Sequence, residues 1–322
     1  MQNNQQKILE VLKTNAYVSG ETIAEQLSIS RTAVWKHIKQ LQQQGYEITA
    51  KPRKGYLLNQ ITDLPLEQEI QGGLKTSIIG KHIQYFSKVP STNDVLKNLA
   101  KQGESEGTII IAEEQTNARG RKNRYWNSPK EGLWFSILLR PHIPPQKAML
   151  VTMIASISLT QAIHRTIGIK PIIKWPNDLL IQGKKVCGIL TELSAEIDQI
   201  EYMLIGIGLN VNNAIPESLQ SKSVSLKQST HRHVSRVMLM QAICIAFDEW
   251  YEQLKKGCEE HIRSTWLSLS QIQGKTVEIK RELTTIKGIV KGIDLQGGLI
   301  LESDQGIQHV LTGDIQYINN TS

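Results

Sequence analysis

Apolar residues in the first 45 positions recur at helical spacing in three short segments. This spacing predicts amphipathic helices at 5–14, around 23–27 and at 31–44. Ser30 stands directly before the third segment, where its hydroxyl can accept a hydrogen bond from a free backbone N–H and cap the helix. The apolar face of the third helix consists of Val34, Ile38 and Leu41, and the opposite face of Thr32, Lys36 and Lys39.

A polar and apolar alternation follows the third helix. Gly45 supplies a helix stop, and residues 46–58 alternate like two strands around a turn that contains Pro52 and Gly55. The turn carries the cations Lys51, Arg53 and Lys54. Three helices followed by a hairpin with a basic tip form a winged helix-turn-helix, whose third helix enters the major groove of DNA while the wing contacts phosphates.

The charge balance supports a DNA contact in this region. Of the formal net charge of +7, residues 1–60 carry +4, with 8 Lys and Arg against 4 Asp and Glu. A basic surface concentrates polyanions, and the alternative is a winged helix used for protein contacts or dimerisation. The predicted DNA contacts are Ser30, Arg31, Thr32, Lys36, Lys39, Arg53 and Lys54.

The rest of the chain predicts a mixed α+β domain and a small all-β domain. Strands come in runs, with helices near 146–166 and 235–255, which favours a multi-domain α+β fold with a central mixed β-sheet and helices packed on one face. The predicted strands of that sheet are 107–115, 132–141, 172–181, 184–193 and 201–211. From 271 onward short strands broken by glycines predict a small SH3-like β-barrel. The predicted domains are 1–62, 63–270 and 271–322.

Composition excludes several classes of protein. With 40% hydrophobic and 21% charged residues, the 322-residue chain is neither disordered nor fibrous. Its three cysteines show no CxxC spacing, so neither a disulfide framework nor a zinc site is expected and a reducing cytoplasm fits best. The first residues lack a secretory pattern, and the most apolar stretch, 148–163, is too short to span a bilayer. We therefore expect a cytoplasmic protein without membrane contact.

A basic loop lies between two apolar strands of the central domain. Arg119, Arg121 and Arg124 crowd the segment 112–126, and Gly120 makes it flexible. Guanidinium groups bind phosphate through paired hydrogen bonds, and glycine lets the backbone come close, so the loop can wrap an anionic ligand. A solvated surface loop or an RNA contact would have the same composition.

The segment KWPNDLLIQGKKVCGIL contains a predicted hairpin with charged residues at its ends. Lys174, Asn177 and Asp178 are expected at the end of one strand and Lys185 at the start of the next, joined by a turn at 182–184. This geometry brings Lys185 towards the same cleft as Asp178, so that a cation and a carboxylate flank one substrate. A charged hairpin edge that prevents aggregation is the alternative.

Two further motifs carry weaker signals. In GIGLNVN, Gly206 and Gly208 lie in an apolar strand that ends at Asn210, and such glycines often mark the close approach of a ligand or another backbone. The motif lacks the third glycine of a dinucleotide fingerprint. Residues 91–94, STND, predict a helix N-cap, and a free helix N-terminus can also hold the polar end of a small ligand.

Together these segments resemble the biotin-protein ligases, specifically the bifunctional kind that also represses the biotin operon. The resemblance covers nearly the whole chain, with winged helix, ligase domain and C-terminal barrel in that order. The matched segments are STN at 91–93, AEEQT and RGRKNRYW within 112–126, KWPNDLLIQGKKVCGIL at 174–190 and GIGLNVN at 206–212.

The resemblance implies a role for each matched residue. It implies that biotin is bound by Ser91, Thr92, Asn93, Gln115, Arg119, Gly120, Arg121 and Lys185. It implies adenylate contacts from Arg121, Arg124, Trp126, Asn177, Asn210 and Lys222, where Lys222 stands at a position that is often Arg in related ligases. Asp178 would help to hold Mg²⁺ that arrives with ATP, and the catalytic residues would be Lys185, Arg119 and Arg121. Trp126 and Trp134 can stack on a ring or pack in the core.

The implied reaction joins the carboxylate of biotin to the α-phosphate of ATP and then transfers biotin to a lysine of a biotin carboxyl carrier domain. Positive charge and Mg²⁺ would stabilise the phosphoryl oxygens. Biotin would also act as corepressor, and a liganded homodimer would bind operator DNA. The alternatives are a lipoate-protein ligase and a ligand-sensing regulator without ligase activity.

Overall fold

The structure, a computed structural model, divides into two compact units, Met1–Gln68 and Glu69–Ser322. The domain boundaries predicted at 62 and 270 stay predictions. No helix among the described residues is long and apolar enough to cross a membrane. The described residues are 4–14, 16–60, 62–281 and 284–317.

The first unit contains the predicted three helices and hairpin. Its elements are α1 (Asn4–Leu12), α2 (Gly20–Leu27), α3 (Arg31–Gln43), β1 (Glu47–Lys51) and β2 (Gly55–Gln60). The side chain of Ser30 accepts a hydrogen bond from the backbone N–H of Ala33, which caps α3 as predicted. Val34, Ile38 and Leu41 are buried. Because these three residues form the inner face, α3 presents its other face to solvent.

A seven-stranded mixed sheet organises the second unit. The strands follow the order β3-β4-β5-β9-β8-β7-β6, in which only β3 and β4 run parallel. The elements up to the end of the central domain are α4 (Glu67–Gln71), β3 (Ile83–Phe86), α5 (Thr92–Lys101), β4 (Ile109–Ala112), β5 (Leu133–Leu139), α6 (Ala148–Ile167), β6 (Ile172–Lys174), β7 (Asp178–Ile181), β8 (Lys184–Ala195), β9 (Ile200–Leu209), α7 (Leu226–Thr230), α8 (Arg236–Lys255) and α9 (Glu259–Ser270). The mixed α+β class predicted from the sequence is confirmed.

The two faces of the sheet are covered differently. Ile109, Ile137 and Ile205 are aligned across β4, β5 and β9 and belong to the main core, together with α6 and α8. The alternate positions, Leu138 and Leu204 among them, pack with α5 in a separate small cluster. The expectation of helices on one face therefore holds for the long helices, whereas the short α5 covers part of the opposite face. Beyond α5, that face is left for the site.

Several local predictions need correction. Residues 172–181, predicted as one strand, form β6 and β7, which pair antiparallel around a turn at residues 175–177. Lys174 thus ends one strand and Asp178 begins the next. Ser91 occupies the N-cap position of α5, but its side chain makes no capping hydrogen bond.

The C-terminal region is a five-stranded antiparallel sheet in the order β13-β12-β11-β10-β14. Its strands are β10 (Thr276–Lys280), β11 (Thr285–Ile293), β12 (Leu299–Ser303), β13 (Gly306–Val310) and β14 (Asp314–Tyr317). Val277, Val290 and Leu301 are fully buried and belong to the same core as the central sheet. The β-rich C-terminal domain predicted from its glycine-broken strands is confirmed.

A buried carboxylate connects α8 to the chain that leads into β3. Asp248 accepts hydrogen bonds from the backbone N–H groups of Ser77, Ile78 and Ile79 at 2.7, 2.9 and 2.9 Å. Only 7% of Asp248 is exposed. Because a buried backbone N–H without a partner is costly, one side chain stabilises three groups that no strand could pair.

We expect Asp248→Ala to lower the free energy of unfolding of the second unit by about 3 kcal/mol, since three backbone N–H groups that are buried or partly buried lose their charged acceptor. Urea unfolding followed by tryptophan fluorescence measures this, because five of the six tryptophans lie beyond residue 69. The control is Glu249→Ala, which removes an exposed carboxylate 3.8 Å from Arg165 and should cost less than about 1 kcal/mol. Equal losses in the two variants would contradict the role assigned to Asp248.

Candidate functional site

A cavity of about 300 Å³ lies on the sheet face opposite the main core. Its floor is formed by β8 and β9, and its walls by the start of α5, the loop 118–127 and the segment 215–223. The predicted site residues that line it are Ser91, Thr92, Asn93, Gln115, Arg119, Gly120, Arg121, Arg124, Trp126, Asn177, Asp178, Lys185 and Asn210. Residues from five separate sequence segments therefore meet in one place.

The floor of the cavity is a strip of glycines. Gly188 of β8 pairs with Gly208 of β9, and Gly206 lies two residues along on the same face. A Cβ added at Gly206 would stand 2.5 Å from Oδ1 of Asn93, and one at Gly208 would stand 2.5 Å from Nε1 of Trp126. Glycine is required at these two positions because the side chains of Asn93 and Trp126 lie directly on the strand backbone. The GIGLNVN motif thus marks a close approach, as its glycines indicated.

One end of the cavity carries an ordered set of polar groups. Oε1 of Gln115 accepts hydrogen bonds from the backbone N–H of Thr92 at 2.8 Å and from its hydroxyl at 3.2 Å. The Gln115 amide donates to Ser128 at 3.1 Å, and the Ser136 hydroxyl donates to Thr92 at 2.7 Å. Gln115 therefore accepts the hydrogen bond of a free backbone N–H in the first turn of α5, a role that the Ser91 side chain does not fill. Its sequence position, 23 residues away, gave no sign of this contact.

Two carboxylates hold Arg119 in place. Its guanidinium donates to both oxygens of Asp94, at 2.9 and 2.7 Å, and to Glu192 at 3.2 Å. The hydrogen bond to Asp94 raises the pKa of Arg119 above its ordinary value. Glu192 also accepts from the Asn93 amide at 2.7 Å. Arg119 thus connects the loop to α5 and β8 and shares a carboxylate with a residue of the cavity.

Lys185 and Asp178 form an ion pair in the cavity wall, with 2.7 Å between Nζ and Oδ1. Nζ also lies 4.9 Å from the centre of the Trp126 ring, a favourable cation–π arrangement. The turn between the strands contains Gln182 and Gly183, both with positive φ. The hairpin predicted from the sequence therefore brings the two charges together.

Arg121 differs from its neighbours in its charge environment. Within the described part of the chain it pairs with no carboxylate, and its guanidinium donates only to Oδ1 of Asn177 at 3.3 Å and to the Gly313 carbonyl at 3.2 Å. Burial lowers the pKa of Arg121 below its ordinary value. Its charge is thus weakly compensated beside the cavity.

The loop also contacts the C-terminal sheet. Asp314, the first residue of β14, lies 2.7 Å from Arg124 and 3.5 Å from Lys122. Burial alone would raise the pKa of Asp314, but the Arg124 hydrogen bond and the surrounding cations hold it below its usual range. No signal in the sequence indicated that a residue of the C-terminal domain would line the cavity.

The three predicted contacts from Lys222, Trp134 and Trp126 have different outcomes. Lys222 does not line the cavity among the described residues, and its backbone carbonyl accepts from the Lys185 N–H at 2.8 Å while its side chain is exposed. Trp134 is fully buried and donates to the Pro129 carbonyl, so it packs in the interior. Trp126 lines the cavity, and its buried Nε1 has no hydrogen-bond partner among the described atoms.

Three segments of the chain match models of known protein families. Residues 85–210 match the biotin/lipoate A/B protein ligase family, residues 4–57 match an HTH domain, and residues 273–317 match the biotin protein ligase C terminal domain. The sheet, the glycine-floored cavity and the basic loop all lie in or beside the first of these segments. The fold and the site therefore define a protein ligase of the biotin/lipoate class that carries a helix-turn-helix.

Individual relatives narrow the class. The chain is 39% identical to the bifunctional ligase/repressor BirA of Bacillus subtilis over 306 residues, 94% of each chain. It is 31% identical to the protein of the same name from Escherichia coli, over 96% of this chain and 95% of that one. The structure of a biotin protein ligase from Aquifex aeolicus in complex with biotin and ATP matches 74% of this chain and 99% of that chain, with 28% identity and a TM-score of 0.65. The chain belongs to the family of bifunctional biotin ligase/repressors.

We expect Asp314→Asn to loosen the basic loop, because Lys122 and Arg124 then lose their counter-charge and repel each other. Limited trypsin digestion should cleave the loop several-fold faster, since cleavage requires local opening. The control is Asp304→Asn, an exposed position in the turn between β12 and β13 with no ion pair among the described residues. Unchanged cleavage in the Asp314 variant would show that the ion pairs do not restrain the loop.

Proposed function

We propose that the cavity binds biotin and ATP, forms biotinyl-5'-AMP and transfers the biotinyl group to a lysine of a biotin carboxyl carrier domain. The observation that carries the proposal is the polarity of the cavity along its glycine floor. One end presents the neutral hydrogen-bonding groups of Thr92, Asn93 and Gln115. The other end presents the cations Lys185 and Arg121.

The neutral end suits the ureido group of biotin. A ureido group has two N–H donors and one carbonyl acceptor, and it needs partners of both kinds once it leaves water. Ser91, Thr92, Asn93 and Gln115 are at most 9% exposed and supply hydroxyl and amide groups of both kinds. The glycine floor keeps these groups in position, because a side chain at Gly206 would displace Asn93.

The cationic end suits the activation step. A carboxylate oxygen of biotin attacks the α-phosphorus of ATP, and the bond from that phosphorus to pyrophosphate breaks. Negative charge accumulates on the phosphoryl oxygens, where Arg121 is available because it forms no ion pair with a carboxylate among the described residues. Lys185 can leave Asp178 for the phosphoryl group, and its pairing with Asp178 keeps the cation from being an isolated buried charge before substrate binds.

Mg²⁺ would enter as part of the nucleotide substrate. The described residues contain no group of three or more His, Cys, Asp or Glu side chains that could hold a metal by themselves. Asp178 and Asn177 supply one carboxylate and one amide oxygen at the cavity wall, which fits a cation that retains water and phosphate ligands. The ion would neutralise the triphosphate charge, and Asp178 would turn towards it when Lys185 moves to the substrate.

Transfer completes the reaction. The neutral amine of the acceptor lysine attacks the acyl carbon, the bond from that carbon to the phosphate oxygen breaks, and AMP leaves with the electron pair. The loop 118–127 would keep water from the anhydride in the interval. Arg119 would act by fixing this loop to Asp94 and Glu192.

The first unit would act as a biotin-responsive repressor in the cytoplasm. The exposed face of α3 carries Arg31, Thr32, Lys36 and Lys39, and the wing carries Arg53 and Lys54. This distribution suits an operator contacted by the recognition helix and by phosphate-binding cations. A homodimer formed in the liganded state would present two such helices to paired half-sites.

The decisive experiment supplies ATP, an acceptor domain and either biotin or lipoate, and follows acyl transfer by mass spectrometry. We expect the mass of the acceptor to increase in the reaction that contains biotin and to stay unchanged in the reaction that contains lipoate. A preference for lipoate would contradict the assignment of biotin as the substrate. Binding of biotin without transfer to the acceptor would indicate a regulator that lacks ligase activity. Gel shifts of the DNA upstream of biotin genes, with and without biotin and ATP, test the repressor half.

We expect Lys185→Met to lower kcat/KM for adenylation roughly 100-fold or more, since it removes a cation from the developing phosphoryl charge. Biotin-dependent exchange of pyrophosphate into ATP measures this step alone. Lys184→Met removes an equal charge from the adjacent exposed position of β8 and should leave the exchange rate within about twofold. If both variants lost similar amounts of kcat/KM, the effect would come from the change in net charge and not from the position of Lys185.

We expect Arg119→Gly to release biotinyl-5'-AMP early, because the loop loses its hydrogen bonds to Asp94 and Glu192. A bystander protein such as serum albumin should then acquire biotin, visible on a streptavidin blot, while the native chain labels only its acceptor. Asn123→Gly is the matched control, since this exposed loop residue has φ 54°, which glycine adopts without strain. Selective labelling by the Arg119 variant would refute the restraining role.

A further inference from the structure

Trp35 is a large apolar side chain on the face of α3 that points away from the core. It is 52% exposed, whereas Trp134, Trp175 and Trp266 are at most 1% exposed. Trp35 follows Val34, whose side chain is fully buried beneath the helix. Its exposure therefore follows from the helical period and does not come from a gap in the core.

Trp35 lies on one stripe with Thr32 and Lys39, since Thr32 precedes it by three residues and Lys39 follows it by four along the helix. Lys36 stands beside it and is also exposed. The Ser30 cap holds the first turn of α3, so the stripe has a defined direction. An indole framed by cations is thus presented on the helix that a helix-turn-helix inserts into the major groove.

The chemistry of the major groove defines a partner for this indole. Base edges there display hydrogen-bond donors and acceptors, and the one apolar group among them is the C5-methyl of thymine. An indole has a large apolar face and a single N–H, so it gains most from a methyl group. The flanking ammonium groups would meet phosphates on either side and keep the helix in the groove.

We propose that Trp35 is a specificity-determining residue that reads the C5-methyl group of one thymine in each half-site of the operator. The inference rests on the proposed DNA-binding function and adds the base that is selected and the group that selects it. Lys36 and Lys39 supply affinity for DNA of any sequence, whereas Trp35 distinguishes thymine from the other bases at one position.

The experiment compares thymine with deoxyuridine, which differs only in lacking the methyl group. A duplex is first selected from a random pool by the native full-length chain with biotin and ATP. Each thymine in turn is then replaced by deoxyuridine, and affinities are measured by fluorescence anisotropy. We expect one thymine per half-site at which the native chain loses about fourfold in affinity, the size expected for one buried methyl.

Trp35→Ala should bind the selected duplex more weakly and should bind the thymine and deoxyuridine duplexes equally well. Lys39→Ala, on the same stripe, should weaken both duplexes alike, reduce the salt dependence of binding and keep the fourfold discrimination. Circular dichroism should be unchanged in both variants, because both side chains are exposed.

Three outcomes would overturn the inference while leaving DNA binding intact. These are equal binding of thymine and deoxyuridine at every position by the native chain, discrimination that survives in Trp35→Ala, and a change only in self-association of that variant. Failure of the native chain to bind any duplex of the pool would instead remove the DNA-binding function itself. The two failures are therefore distinguishable.

Discussion

The site depends on a sheet that the long helices cover on one face and that the short α5 covers only in part on the other. The long helices α6 and α8 supply the core on one side, so β8 and β9 do not need side chains on the opposite face for stability. Gly188, Gly206 and Gly208 use this freedom to leave the backbone open to Asn93, Trp126 and the cavity. The packing of one face thus permits the recognition chemistry of the other.

A second constraint is electrostatic. Most cations around the cavity already have carboxylate partners: Arg119 with Asp94 and Glu192, Lys185 with Asp178, and Arg124 with Asp314. Unpaired charges in a partly buried cleft would be costly, and these ion pairs bring the protein's own charges around the cavity close to balance. Under the proposed function, an anionic ligand would take the place of Asp178 beside Lys185 and would meet the weakly compensated charge of Arg121.

Sequence patterns predicted the elements that have strong periodicity and the motifs that have distinctive composition. The N-terminal helices, the β7–β8 hairpin and the glycine strand belong to this group. Contacts between distant segments had no local signal, as with the capping of α5 by Gln115 or the approach of Asp314 to the loop. Glu192 was detectable in principle, because the period of two along β8 places it on the same face as Gly188. The break at Trp175 was hidden because apolar residues continue on both sides of it.

The ion pair between Arg124 and Asp314 joins residues 190 positions apart. A ribosome that adds about 5–20 residues per second needs roughly 10 to 40 seconds to cover that distance. During this interval the nascent loop carries its cations without the acidic partner that restrains them. Maturation of the cleft is therefore completed late in translation: Arg119 can restrain the loop once Asp94 and Glu192 are made, but the restraint at Arg124 waits for the strand that carries Asp314.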